Sequence, residues 1–279
     1  MALPHRCRFL GLIALQAFVL TGCSKKEEAA DTPTPPQTTS TTNQTPVTGD
    51  WVIQAISSDP DTLNPITNQD ETGNMIQSGN IFEGLLTMDN DTLRLKPLLA
   101  ESYEISPDQL TYTFHLRHDA KWQDGKPMTA DDVKFSFDRT MDPKVDAADK
   151  RSYLTTIKSC EILDPYTIRF TADKRYFKTL ESLGTLPIVP KHLLETGDFN
   201  ENPFGRHPVG SGPYKFVRWD TGSQVVLERD DNYWAGPGHY PTRLVYQIIQ
   251  EPYVTAQLLK KGELDVVNGV TPIQWEREL

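Results

Sequence analysis

The chain has 279 residues, of which 37% are hydrophobic and 24% charged, and 28 Lys and Arg are set against 38 Asp and Glu. The formal charge of −10 argues against nucleic acid as a partner, and a mean hydropathy of −0.49 argues against a polytopic membrane protein. Three cysteines, Cys7, Cys23 and Cys160, are too few for a disulfide scaffold.

The N-terminus has the order of an export signal. Arg6 and Arg8 precede an apolar run over residues 9–20, which is too short to span a bilayer. The run ends in Leu-Thr-Gly-Cys, which resembles the bacterial lipobox, where the cysteine thiol takes a lipid. We therefore expect a lipoprotein signal peptide over 1–22, a lipid on Cys23 and an exported protein anchored to a membrane. The alternatives are an ordinary signal with an accidental Cys23, or an amphipathic core helix.

The next segment, residues 23–48, is rich in Thr and Pro. Such a composition buries too little apolar surface to order itself, so we expect a disordered tether between the lipid and the folded part.

Alternating strand and helix patterns follow. A strand is predicted over 51–56 and a helix over 75–86. Strict alternation over 110–117 predicts a half-buried strand with Leu110, Tyr112, Phe114 and Leu116 on one face.

The second half of the chain is also mixed. Thr129 and Asp132 predict a capping box at a helix start, Gly210 and Gly212 indicate a tight turn, and Gly262 ends a further helix. Strands are predicted over 166–171, 212–218, 224–229 and 244–250, and the further helix over 254–261. The irregular order favours a mixed α/β sheet with appended subdomains over a barrel.

Four groups of residues carry a family resemblance. The first runs from Leu99-Ala100-Glu101-Ser102-Tyr103 through Trp122-Gln123-Asp124-Gly125-Lys126-Pro127 to Val133. The others are Phe82-Glu83-Gly84-Leu85, then Gly210-Ser211-Gly212-Pro213-Tyr214 with Asn232-Tyr233-Trp234, then Lys261-Gly262-Glu263-Leu264-Asp265. Together they resemble the family 5 extracellular solute-binding proteins, the oligopeptide- and dipeptide-binding components of ABC importers.

The resemblance implies a mixed α/β, periplasmic-binding-protein-like fold of two lobes with an inserted subdomain. Lobe I would comprise 49–85 and 205–252, and the inserted subdomain 86–204. Residues 253–279 would begin lobe II, most of which would be missing from this chain.

The resemblance also implies a function without catalysis. The protein would be a monomer that captures a peptide ligand between its lobes and delivers it to membrane permease subunits, with no cofactor. The loop containing Asp70, Glu71, Thr72 and Gly73 would lie nearest the cleft. Asp70 or Glu71 would meet a ligand cation, or the loop is a solvated acidic loop. No metal site is expected, because the histidines lack zinc spacing and the Asp89 segment lacks the glycine and glutamate of a calcium loop.

Two alternatives stay open. The same family fold would serve another cargo, such as a nickel chelate, haem or an oligosaccharide. A truncated, cargo-incompetent fragment would instead expose the apolar residues after Gly262, beginning with Leu264.

Overall fold

The structure is a computed structural model and describes residues 49–236 and 241–277. The predicted signal peptide, Cys23 and the predicted tether lie outside the described residues.

The described elements alternate irregularly between strands and helices. In chain order they are β1 (Gly49–Ile56), α1 (Glu71–Gln77), β2 (Leu86–Met88), β3 (Leu95–Pro97), β4 (Ala100–Ile105), β5 (Thr111–Leu116), α2 (Ala130–Met141), α3 (Ala148–Leu154), β6 (Ile157–Asp164), β7 (Thr167–Ala172), α4 (Thr179–Gly184), α5 (Lys191–Leu194), a 3-10 turn (Pro203–Gly205), β8 (Tyr214–Asp220), β9 (Gln224–Arg229), β10 (Pro241–Ile248), α6 (Pro252–Lys260) and α7 (Pro272–Arg277). The predicted mixed α/β class is confirmed.

The first sheet has the strand order β1-β10-β9-β8. Its β1 and β10 are parallel, with Ile56 opposite Ile248, and the other pairs are antiparallel. Val225 and Leu227 of β9 are fully buried and pack in one cluster with Ile76 of α1. Helix α1 therefore covers one face of this sheet, and burial of these aliphatic side chains holds it there.

The second sheet is antiparallel, with the order β4-β5-β7-β6. The predicted alternation of β5 is confirmed, because Tyr112, Phe114 and Leu116 are buried while the residues between them are not. Phe114 lies opposite Ile168, and its ring meets that of Phe170 edge-on at 5.9 Å. This sheet and helix α2 enclose a second core cluster.

The side chain of Gln123 joins the second sheet's region to the first sheet. Its Nε2 donates to the carbonyls of Gly212, at 3.0 Å, and Tyr214, at 2.8 Å, and its Oε1 accepts from the amide of Gly210 at 2.9 Å. One amide side chain thus fixes the turn that follows Trp122 against the start of β8.

A buried carboxylate makes a second junction. Glu83 is 4% exposed, and its Oε1 and Oε2 accept hydrogen bonds from the Tyr233 hydroxyl at 2.5 Å and the Trp234 indole at 3.1 Å. Burial raises the pKa of Glu83 above its usual value, against the opposing effect of these hydrogen bonds. Two of the motifs behind the family resemblance therefore contact each other directly.

The predicted helix over 75–86 is wrong in its bounds, because α1 spans residues 71–77. Asp70 caps it, five residues before the predicted start at residue 75. It ends because Ser78 is extended, Gly79 has φ +71°, and the Asn80 side chain donates to the carbonyl of Ile76 at 3.1 Å. The apolar residues of the predicted helix are divided between the short helix α1 and the buried segment that follows it.

Candidate ligand-binding site

The carboxyl ends of β1 and β10 meet at one edge of the first sheet because these strands are parallel. Ligands of open α/β sheets bind outside such an edge. A pocket of about 240 Å³ lies there, with Ala55 and Ile56 of β1 on one side and Thr255, Ala256 and Leu259 of α6 on the other. Ile249, Gln250 and Pro252 form part of its wall, at or just before residues 251–255, where the family resemblance implies that the chain crosses between lobes. This edge is the candidate site.

The chain beyond α6 returns to the same sheet. The Asp265 and Val266 amides donate to the Ile53 carbonyl at 2.8 and 3.1 Å, and the Ala55 amide donates to the Val266 carbonyl at 3.0 Å. Of the apolar residues expected to be exposed in a fragment, Leu264 is 2% exposed, so the expectation is wrong for it, whereas Val266 is 37% exposed. The open side of β1 offers backbone partners that this segment uses.

Asp70 is the N-cap of α1. Its Oδ1 accepts from the Gly73 amide at 2.6 Å, and its Oδ2 accepts from the Asp61 amide at 3.0 Å. Both oxygens hold backbone, which stabilises the helix start. Glu71 is exposed, and its carboxylate makes no hydrogen bond or ion pair with the described residues. Of the two predicted acids, Glu71 is therefore the one whose carboxylate has no donor among the described residues and can accept from a ligand.

Thr72 and Gly73 lie at the base of this loop. Thr72 is 8% exposed, with its hydroxyl 3.4 Å from that of Ser58. A Cβ on Gly73 would lie 2.2 Å from Asn68 Oδ1, so only glycine fits there. The Thr72–Ser58 contact places this loop near the chain that leaves β1, but none of the four residues lines the 240 Å³ pocket, and contact of each with a ligand stays a prediction.

Sequence reasoning missed how the loop is held. The Lys150 ammonium of α3 donates to the Asn68 carbonyl at 2.8 Å, and Gln69 Nε2 donates to the Asp146 carbonyl at 3.3 Å. Asn68 itself is fully buried. The partners are 82 and 77 residues apart, and no local pattern marks them.

The described residues also bear on metal binding, thiol reactivity and membrane crossing. Within 49–236 and 241–277, no three His, Cys, Asp or Glu side chains group closely enough to hold a metal ion. Burial raises the pKa of the Cys160 thiol to about 12, which keeps it protonated and unreactive near neutral pH. In the same part of the chain, no helix has the length and apolar character needed to cross a bilayer.

The fold and this edge define a periplasmic-binding-protein-like architecture. Residues 94–279, more than half of the chain, match the family described as "Bacterial extracellular solute-binding proteins, family 5 Middle". The chain belongs to this family of bacterial solute-binding proteins.

Relatives in the family are named for different ligands. The probable peptide-binding protein YejA of Agrobacterium fabrum is 34% identical over 230 residues, which are 77% of this chain and 36% of the relative. The oligopeptide-binding protein AppA of Bacillus subtilis, in complex with a nonapeptide, has a TM-score of 0.76 at 27% identity, with 83% of this chain and 46% of that chain covered. NikZ of Campylobacter jejuni, in complex with Ni(L-His), has a TM-score of 0.71 at 34% identity, with 78% and 43% covered. The chain spans less than half the length of these relatives.

Proposed function

We propose that the chain supplies lobe I, over 49–85 and 205–252, and the inserted subdomain, over 86–204, of a protein that captures peptides for an ABC importer. The observation that supports the proposal is the pocket at the carboxyl ends of β1 and β10, next to the residues where lobe II is predicted to begin. The relatives AppA, an oligopeptide-binding protein, and YejA, a probable peptide-binding protein, support this cargo.

In this mechanism lobe II begins near residue 253 and closes over the edge. Closure about a short hinge excludes water from the ligand and strengthens its hydrogen bonds. Tyr253 and Val254, at the start of the proposed lobe II, are 62% and 43% exposed, as expected of apolar residues that the rest of that lobe would cover. The Glu71 carboxylate binds a cationic group of the ligand, and protein main chain holds the peptide backbone in extended form.

The cargo is tested by thermal shift of the complete protein with a mixed peptide pool. We expect stabilisation by peptides, and we expect Glu71→Gln to weaken binding by about tenfold through loss of a charge-assisted hydrogen bond. Glu101→Gln is the matched control, because Glu101 is an exposed acid on β4, away from the edge. Stabilisation by a nickel chelate, haem or an oligosaccharide, with none by peptides, would overturn the peptide cargo and leave the family unchanged.

We also propose that export ends with a lipid on Cys23, which keeps the protein at the membrane beside the permease subunits. The order of Arg6, the apolar run and the lipobox-like residues supports this proposal. Labelling cells with a fatty acid tests it. The wild-type protein should carry the label and sediment with membranes, whereas Cys23→Ala should be unlabelled. Equal labelling of both would contradict the anchor.

A further inference from the structure

A groove of about 590 Å³ lies between the end of α1, strand β2 and helices α3 and α4. Its apolar floor is formed by Phe82, Leu86, Leu154 and Leu186, of which Phe82 is 2% exposed. Small-molecule sites have volumes of roughly 300–1,000 Å³ and mostly apolar linings with few polar groups. We call this feature the α1–α4 groove, and its size fits a small ligand.

Two side chains of opposite charge line the groove and form no ion pair with the described residues. The Lys178 ammonium lies 5.8 Å from the centroid of the Tyr153 ring and forms no salt bridge with the described residues. Glu181, one turn further along, also lines the groove and forms no salt bridge within them. Lys150 is already committed to the Asn68 carbonyl and to Asp149 at 3.2 Å. Among the described residues that line this groove, Lys178 and Glu181 are therefore a cation and an anion that no salt bridge occupies.

A buried polar atom in the wall also lacks a partner. Gln77 is 1% exposed, and its Oε1 accepts no hydrogen bond from the described residues, while its Nε2 lies 3.5 Å from Asn74 Oδ1. An unpartnered buried acceptor costs about 1–3 kcal/mol, so such atoms in proteins usually meet a donor from water or a ligand.

We propose that the α1–α4 groove is a second ligand subsite, which binds a small zwitterion with an apolar side chain, namely an amino acid or a dipeptide. Lys178 binds the carboxylate, Glu181 binds the ammonium, and the apolar side chain lies on the floor. The ends of an extended dipeptide are at most about 7 Å apart, a separation that two side chains one turn apart can span. All of these residues belong to the described part of the chain, so the subsite goes beyond the proposed function and needs no second lobe.

The subsite adjoins the candidate site. Asn74 and Lys150 line the groove and also hold the loop 68–73, through Asn68 Nδ2 at 3.1 Å from Asn74 Oδ1 and through Lys150 on the Asn68 carbonyl. An occupant of the groove would therefore contact residues that themselves contact the loop 68–73.

Calorimetric titration of the chain with Leu-Leu, N-acetyl-Leu-Leu and Leu-Leu-amide tests the subsite. Blocking either end should weaken binding by about tenfold, the loss of one charge-assisted hydrogen bond. Lys178→Met should abolish the difference between Leu-Leu and its amide, and Glu181→Gln should abolish the difference between Leu-Leu and its acetylated form. The exposed Lys174→Met and Glu201→Gln are matched controls that should bind like the wild type.

No heat with Leu-Leu at millimolar concentration, or equal losses in the groove and control variants, would overturn the subsite. The outcome is separable from that for the transported cargo. If the complete protein binds peptides through Glu71 and the chain binds no Leu-Leu, only the subsite fails. If the chain binds Leu-Leu through Lys178 and Glu181, but the complete protein shows no peptide binding that depends on Glu71, only the peptide cargo fails.

Discussion

Gly210 and Gly212 bring two chain segments into backbone contact. The Gly212 and Tyr214 amides donate to the carbonyls of Ile81 and Asn80, both at 2.9 Å. A Cβ on Gly210 would lie 1.7 Å from the Ile81 carbonyl oxygen, and one on Gly212 would lie 2.3 Å from that of Asn80. The sequence predicts a tight turn here, and close approach of a second segment gives a further physical reason for glycine.

Gly210→Ala should therefore destabilise the fold by more than about 3 kcal/mol, because the added methyl meets backbone that cannot move aside like a side chain. Urea unfolding measures the change. Gly49→Ala is the control, since a Cβ there has no atom within 4 Å, and its effect should stay within about 0.5 kcal/mol. Equal stabilities of the two variants would contradict the close-approach argument.

Glu83 should make stability depend on pH. Burial raises its native pKa above the value of 4.5 taken for the unfolded chain, so the native state holds the proton to higher pH. Between 4.5 and the native pKa the folded state binds more protons, and the free energy of unfolding falls as pH rises. The stability of the wild type relative to Glu83→Gln should thus decline from about pH 4 upward and level off above the native pKa. A constant or rising difference in urea unfolding would refute this sign.

Between elements, single side chains decide how neighbouring parts are joined. The amide group of Gln123 donates to and accepts from the backbone of the turn at Gly210 and Gly212, and it donates to the first residue of β8. Gln123→Ala should cost about 2–3 kcal/mol in urea unfolding, because three hydrogen bonds are lost and buried carbonyls lose their donor. Lys121→Ala, on an exposed residue two positions earlier, should change stability little. Similar losses in both variants would show that Gln123 is not the junction.

The sequence predicts strands well where one face is buried and poorly where both faces are exposed to solvent. Strand β9 has the predicted bounds, and β5 keeps its predicted buried face. The edge strands β4 and β6 were not predicted, because β4 carries charged residues among exposed positions and β6 is mostly exposed with two register shifts. Of the candidate site, the loop with Glu71 was predicted. Its attachment through Lys150 was not, since that contact depends on tertiary packing.

At the scale of the whole molecule, the chain leaves the first sheet at 249–251, forms α6 and returns to pair with β1. The predicted start of lobe II at residue 253 stays a prediction. Residues beyond that point already share hydrogen bonds with the first sheet, so movement of a second lobe would act on β1 directly. Loop 68–73 follows β1 in the chain, so such a movement would displace the strand and the loop together.

Asp265 is the residue on which this attachment depends most. Its Oδ2 accepts from the Ile53 amide at 2.8 Å while its own amide donates to the Ile53 carbonyl. Asp265→Ala leaves the Ile53 amide without that acceptor, so hydrogen exchange at Ile53 and over 264–268 should become about 5- to 30-fold faster, the equivalent of about 1–2 kcal/mol. Asp265→Asn keeps an oxygen acceptor and should recover most of the protection. Glu263→Ala, an exposed neighbour, should exchange like the wild type. Unchanged exchange at Ile53 in Asp265→Ala would contradict this role and would mean that the backbone pairing alone holds the segment.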